Sequence, residues 1–582
     1  MDSKPPTGIR MLSRFGACVT CRKRKLRCDA TQPECNRCRT TGHTCQYQNS
    51  EYRSKTKTLQ DRIKTIEAKI HEIEQQQGRS VPSSASSSSV STPDSNTLSE
   101  QTIPQAAVCH NDFSQQAPDP CSCLPLGASC FEPNMLLRRG PSGLSLPGDA
   151  SRKLLNMFLQ RKLLSGFELH IGRVVKSFQH GSSEPAVPAL FNAMLLLGCH
   201  FISEPELQFW ENMFYERTKL EIEANIARAH SNDRSKYNPL YHLQAMVMLG
   251  QWFYLKGRLL EGYVYATRAT RLAVALGLHE LDSRIYDHYV GTNQGSSRTV
   301  VERWRPRDSI ELGEAINLWW ACLIRDLGGT ALNGLPLSIS MEEIKTVWPV
   351  ELSDFEDVGS SKLRNDNYSV ASLFDPNVVH IVTDVSRDTA NCMVAKSSVL
   401  TYCVGYLDTE RISGLEVTDE WWARFEKCDR GIRSFTRSAR KAYGGRNIEE
   451  FVNVALAHAV IDCAAIQLHE PLADFEIDGG TQCEACRSMA LTTTYVQGVN
   501  TSYMQMFFGI AWSSAASVLA KYIPRLHLSG YTEQAREMEE QLILMAKCME
   551  RLLLTYPILA FQAEHLRELL RGVLRQLTQS ET

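Results

Sequence analysis

Six cysteines near the start of the chain have the type and spacing to hold metal. They are Cys18, Cys21, Cys28, Cys35, Cys38 and Cys45. Their order reads C-x2-C-x6-C, a six-residue gap, and then the same pattern again. Thiolate is a soft ligand, and a structural zinc ion takes four ligands at the corners of a tetrahedron. Two zinc ions need eight coordination positions, and six thiolates fill them when two of the sulfurs bridge both metals. The internal repeat points to Cys18 and Cys35, the first cysteine of each half, as the bridges. The competing chemistry is a disulfide knot. The first residues, Met1 to Gly8, have no apolar leader core, so secretion is not expected and Zn²⁺ is, two per chain.

The two halves differ in what fills the gap before the third cysteine. Arg22, Lys23, Arg24, Lys25 and Arg27 crowd the first, whereas the second reads Arg39-Thr40-Thr41-Gly42-His43-Thr44. Six thiolates outweigh two Zn²⁺, so some cationic compensation is expected, yet nearly all of it falls on one side. A short helix dense in Lys and Arg, pinned by metal at both ends, can enter a major groove. There it can bond to guanine O6 and N7 while its neighbours hold phosphates. Pro33 would turn the chain between the halves, and His43 is expected in a polar loop rather than on metal.

The run Cys18-Val-Thr-Cys21-Arg-Lys-Arg-Lys-Leu-Arg-Cys28-Asp29, followed by Pro33, resembles the fungal zinc binuclear cluster family of transcription factors. The resemblance implies that Lys25 contacts bases of a CGG-type triplet, with Arg22, Arg24 and Arg27 mostly on phosphate. It also implies a nuclear protein acting on transcription by RNA polymerase II.

These residues need a frame. The formal net charge of the 582 residues is −2, but Arg10 to Lys64 holds fourteen Lys/Arg against four Asp/Glu. A small basic module is therefore attached to a large acidic body, the electrostatic footprint of a nucleic-acid binder with a separate regulatory domain. The basic module also reads as a nuclear import signal. After the cysteines, Leu59, Ile63, Ile66, Ile70 and Ile73 recur at intervals of four and three. That is a short heptad repeat, with Arg62 and Lys69 at g facing Glu67 and Glu74 at e of a parallel partner. The pairing points to a homodimer; Ile at both a and d leans toward higher oligomers, and a surface helix is the plainer alternative.

The expected partition is a basic tail over 1–17, the zinc domain over 18–46, and a linker with its coiled coil over 47–77. A disordered Ser/Pro-rich linker follows over 78–150, then an all-α domain over 151–582. Cys109, Cys121, Cys123 and Cys130 fall in the linker, fit no zinc spacing, and are expected as free thiols. In the body, apolar periodicity predicts helices beginning near Leu154 and over Ala189–His200, Leu207–His230, Leu240–Leu255 and Leu260–Leu276. Further helices are predicted over Glu311–Leu327, Ile381–Tyr406, Asp419–Thr436, Ile448–Leu468, Cys483–Val499, Gln505–Tyr522, Thr532–Thr555 and Ile558–Leu577. The nearest approach to a membrane-spanning run, Met504 to Ala520, is broken by Gln505, Ser513, Ser514 and Ser517, so a core helix is expected.

Two stretches of the body, Ala266 to His279 and Leu318-Trp319-Trp320 with Asp326 and Gly334-Leu-Pro336-Leu-Ser-Ile339, resemble the fungal-specific transcription factor regulatory domain. Glu314 to Asn317 and Leu335 depart from the usual basic residues of that pattern. Trp319 and Trp320 are expected as core packing, with a ligand pocket as the alternative. Cys483-Glu-Ala-Cys486 opens a helix with no second pair nearby, so packing is expected over redox chemistry. His279 is expected at a helix end, where it complements the dipole. The run Glu351 to Asp357 suits either an activation segment or a solvated loop. No metalloprotease, nucleophile-elbow, phosphate-cradle or dinucleotide motif is present. The resulting expectation is a zinc-dependent transcription factor, not an enzyme, binding double-stranded DNA. Expected partners include the transcription machinery or co-regulators and a small-molecule effector, with no membrane. The rival readings are a zinc-module protein scaffold and a helical enzyme with a zinc appendage.

Overall fold

The computed structural model describes residues 18–46, apart from 19, 22–23, 25–27 and 32, and residues 148–580. In the second range it leaves out 180–181, 183–185, 231–236, 283–303, 357–367, 414–417, 441–443, 446 and 473–479. The heptad residues Leu59, Ile63, Ile66, Ile70 and Ile73 and the cysteines of 109–130 lie outside the described residues. The chain divides into two units, one ending at Phe113 and one beginning at Ser114.

In the first unit, the cysteines themselves are the core: Cys18, Cys21, Cys28, Cys35 and Cys38 are all buried. Helix α1 (Asn36–Thr41) is its one long turn of regular structure among the described residues, ending at Gly42 in the left-handed conformation.

The second unit is built from helices, with no strand among the described residues. It opens with α2 (Gly148–Gln160), α3 (Ile171–Ser177), α4 (Pro188–Phe201) and α5 (Glu211–Ala229). Next come α6 (Pro239–Leu255), α7 (Leu259–Leu276) and α8 (Ser309–Asn333). The far half holds α9 (Ala390–Ile412), α10 (Asp419–Ala439), α11 (Ile448–His469) and α12 (Gly480–Val496). It closes with α13 (Phe507–Leu528), α14 (Thr532–Thr555) and α15 (Ala560–Ser580). A single hydrophobic core runs through all of it.

Burial follows the pattern of each helix. Every residue of α6 is buried, so this helix has no polar stripe and sits in the middle of the body. By contrast α10 buries Trp421, Phe425, Cys428, Ile432, Phe435 and Ala439 at spacings of three and four, and turns its arginines outward. Capping sets the starts. Asn238 accepts from the N–H groups of Leu240 and Tyr241, with Pro239 at the first helical position. Asp308 caps α8 through Glu311 N–H at 2.9 Å and takes both terminal nitrogens of Arg173 at 2.9 and 3.0 Å.

The helices expected from periodicity are present, with some bounds moved. The stretch predicted over Ile381–Tyr406 begins only at Ala390, because Thr389 accepts from Cys392 N–H and starts the helix there. Before it lie a single turn at Val379–Val382 and a tighter one begun by Asp384. Helix α13 passes Tyr522 and continues to Leu528, with Pro524 in its final turns. Among the described residues, the helix long and apolar enough to cross a membrane is Ile448–Leu472, not Met504–Ala520, and 78% of its apolar window is buried in the body. It packs against α9, α12 and α13.

Trp319 and Trp320 are fully buried, as core packing requires. Trp320 stacks on Trp348 at 4.4 Å and donates its indole N–H to the Val347 carbonyl at 2.7 Å. Cys483 and Cys486 are fully buried, and burial pushes the Cys486 thiol well up, which suits packing and not redox chemistry. His279 does follow the end of α7, but it is buried in a tight turn, 6.1 Å from the Trp319 ring. In the run beginning at Glu351 only Phe355 is buried among the described residues: its carbonyl accepts from Ser309 Oγ, and its ring leaves no room for a side chain at Gly313.

Candidate metal centre and nucleic-acid interface

The metal centre is built from two matched turns. In each, the first cysteine's sulfur accepts a backbone N–H three residues on. Cys21 N donates to Cys18 Sγ and Cys38 N donates to Cys35 Sγ, both at 3.4 Å. In the second turn this makes Cys35 the cap of α1. The Cys38 N–H, a donor fixed by the helix start, holds the Cys35 thiol down to about 6. The third cysteines are treated alike as well. Ala30 N donates to Cys28 Sγ at 3.4 Å, and Cys35 N donates to Cys45 Sγ at 3.2 Å. To reach Cys28, Ala30 takes φ 56°, the left-handed region that costs an L-residue about 1–2 kcal/mol.

The sulfurs converge in two groups of four, Cys18–Cys21–Cys28–Cys35 and Cys18–Cys35–Cys38–Cys45. Within each group all four lie within 4.8 Å of one another, and Cys18 and Cys35 belong to both. The sulfurs of Cys18 and Cys35 are 3.7 Å apart, as are those of Cys18 and Cys38 and those of Cys21 and Cys35. A tetrahedron with zinc–sulfur bonds of ~2.3 Å has sulfur–sulfur edges of roughly 3.8 Å. The donors therefore fit two zinc ions that share two thiolates.

Three connections between the halves have no signature in the cysteine spacing. The Asp29 carboxylate accepts from Asn36 N–H at 3.1 Å, at the start of α1, and also takes the Thr31 hydroxyl. The Thr31 hydroxyl, first among several donors, holds the Asp29 carboxyl below its usual range. Thr20 Oγ1 donates to the Thr44 carbonyl at 2.7 Å, and one turn on, the Arg24 guanidinium meets His43 Nε2. Arg24, expected on phosphate, is thus held by the loop of the other half in the free protein. Arg22, Lys23, Lys25 and Arg27 lie outside the described residues.

Two family models match the sequence. The fungal Zn(2)-Cys(6) binuclear cluster domain covers residues 16–54, and the fungal specific transcription factor domain covers residues 157–393. The chain carries both the zinc cluster domain and the regulatory domain of fungal transcription factors. Its cofactor is zinc, two ions on six cysteines. The members of this family and the named relatives are transcription factors, not enzymes.

Among curated relatives, this zinc cluster chain is 23% identical over 352 residues to a depudecin biosynthesis cluster-specific transcription activator of Fusarium langsethiae. That alignment covers 53% of this chain and 55% of the relative. It is 22% identical to a sorbicillinoid biosynthetic cluster transcription factor of Penicillium rubens, over 58% of this chain and 57% of the relative. A heme-responsive zinc finger transcription factor of Saccharomyces cerevisiae is 33% identical over 94 residues, 14% of this chain and 6% of that protein. The chain spans little more than half the length of the first two relatives. No solved structure matches it. The regulatory-domain match ends inside α9, yet α9 packs against α11 and the same core continues to α15, so the described body exceeds the matched stretch.

Proposed function

We propose that the chain is a nuclear, sequence-specific regulator of RNA polymerase II transcription that reads CGG-type triplets in double-stranded DNA. Cys18, Cys21, Cys28, Cys35, Cys38 and Cys45 hold the zinc, with Cys18 and Cys35 bridging. Lys25 reads base edges, Arg22, Arg24 and Arg27 mostly hold phosphates, and Lys23 belongs to the same DNA-binding stripe. Leu59, Ile63, Ile66, Ile70 and Ile73 form a parallel dimer seam. The domains fall at 18–46, 47–77, 78–150 and 151–582, and the last receives co-regulators and a small effector. The observation that carries this reading is the pair of four-sulfur groups sharing Cys18 and Cys35, because they pin the basic stretch at Cys21 and Cys28. Relatives named for biosynthetic gene clusters support a cluster-specific activator. A zinc module that binds protein has no need of five cations in one stripe.

Binding titrations at several salt concentrations test it. Lys25→Ala should remove discrimination between CGG-containing and scrambled duplexes, roughly 1–3 kcal/mol for each base edge no longer read. Arg22→Ala and Arg27→Ala should weaken both duplexes alike and flatten the salt dependence by about one unit of slope for each phosphate released. If none of these changes matters, the basic run is only an import signal and DNA reading is wrong.

The dimer is tested separately. Ile66→Lys places a charge on the seam and should reduce affinity for two-site DNA while leaving one-site DNA nearly unchanged. Equal reductions on both would mean that 59–73 is an ordinary surface helix.

A further inference from the structure

A cleft in the helical body lies where the first and second halves of the body meet. Helices α6 and α8 wall it on one side, α9 and α11 on the other, and the start of α13 closes one end. Its apolar wall includes Leu163, Leu255, Ile324, Val394 and Phe507.

Two charged groups face the cleft, Arg325 and Glu168, and their hydrogen bonding is unequal. Gln505 Nε2 donates to Asn453 Oδ1 at 3.3 Å, Asn453 Nδ2 to Asn391 Oδ1 at 3.2 Å, and Asn391 Nδ2 to Glu168 Oε1 at 2.8 Å. This line of amides ends on the Glu168 carboxyl, which therefore already has its donor. Burial also pushes that carboxyl up to about 7, so it carries only part of a negative charge near neutrality. Arg325 feels the charge of Glu168 but makes no hydrogen bond to it among the described residues. Its one side-chain hydrogen bond among the described residues runs from Nη1 back to the Ala321 carbonyl of its own helix, at 2.8 Å. Its Nε is buried with no acceptor, and the Glu168 carboxyl, which acts on it through charge, spends its hydrogen bond on Asn391. Guanidinium cannot escape by losing its proton, so a buried one lacking an acceptor is costly.

The guanidinium is also held in place from below. Gly166 has φ +68°, and a Cβ there would fall 1.8 Å from Arg325 Nη2, so the cation lies directly on glycine backbone. That loop is fixed in turn by Gln244, which donates to the Gly166 carbonyl and accepts from Glu168 N–H, both at 2.9 Å. A planar five-donor cation on a rigid bed, beside an apolar wall, suits the two oxygens of a carboxylate.

We propose that this cleft binds a small monocarboxylate, its carboxylate paired with Arg325 and its hydrocarbon against Leu163, Ile324, Val394 and Phe507. The proposal rests on reading the helical body as the effector-receiving part of the protein. The test is calorimetric titration of the full-length, zinc-loaded chain with hexanoate and benzoate, and with hexanamide and benzamide as neutral matches. Saturable binding of an acid, weakened roughly tenfold or more in its amide and in Arg325→Met, is the expected result. Should Arg325→Met lose its helical circular dichroism, Val394→Phe serves instead, since it fills the cleft without touching the charge and should also abolish binding. Acid and amide binding alike, neither binding, or an acid binding the folded variants as it binds the native chain would overturn the proposal. A DNA titration of the same sample separates the two failures. DNA binding without acid binding sinks only the cleft, and acid binding without DNA binding sinks only the transcription-factor reading.

Discussion

Serine in place of Cys18 or Cys35 should take the full-length protein from two bound zinc ions to nearly none, whereas Cys28→Ser or Cys45→Ser should leave about one. The difference follows from the sulfur groups. Cys18 and Cys35 stand in both sets of four, while Cys28 stands only in the first and Cys45 only in the second. Losing a terminal thiolate breaks the four-sulfur set of one ion only and leaves the other ion its four thiolates. Losing a shared thiolate strips a ligand from both ions and opens the link between them. Among the described residues the first unit has no core besides its cysteines, so its fold depends on metal, and structural zinc contributes on the order of 10–16 kcal/mol to such folds. Elemental analysis after dialysis reads the stoichiometry, and DNA titration reads the consequence. Equal zinc loss from all four variants would mean that no thiolate is shared.

The second large effect is expected at Lys396. Its side chain and that of Asp388 are wholly shielded from solvent, 2.6 Å apart, and the ammonium also donates to the Val382 carbonyl at 2.6 Å. Lys396→Met should destabilise the helical body by roughly 3–5 kcal/mol, because it removes the opposite charge from a carboxylate wholly shielded from solvent. Against a typical total of about 5–15 kcal/mol that is a large share. Adding Asp388→Asn to the same chain should recover much of the loss, since the pair's own attraction is largely offset by the desolvation of both ions. Denaturant unfolding followed by tryptophan emission measures it, with Trp348 as a local reporter 5.7 Å from the ammonium. Additive losses in the double variant would show that the two charges do not act as a pair.

Residue order makes much of this legible. The doubled C-x2-C-x6-C pattern announces two metals because ligand spacing is a local property, and the amphipathic stripes announce helices for the same reason. What stays hidden depends on convergence across long separations. Lys396 and Arg325 each read as one more cation in an apolar helix, and nothing in their neighbours shows that one forms a buried ion pair and the other faces a cleft. Asn391, Asn453 and Gln505 come from three separate stretches of the chain, so no window contains their line of hydrogen bonds. Periodicity places the start of α9 too early because apolar residues continue back to Ile381, although Asp384 and Thr389 are both capping types and signal the later starts. Asp29 stands beside Cys28 in the sequence, but its place at the head of α1 arises only when the two halves fold together.

Where α2 meets α4, the body is mechanically stiff. A Cβ at Gly198 on α4 would fall 2.3 Å from the backbone oxygen of Leu154 on α2, so these helices touch main chain to main chain. Helices that meet through interlocked side chains can yield by a change of rotamer, but here nothing compressible lies between them. Residues 47–147 join the body covalently at α2. A pull arriving along the chain therefore moves α2 and α4 as one stiff member and loads α5 and α6, which pack against α4, instead of being absorbed at the first joint.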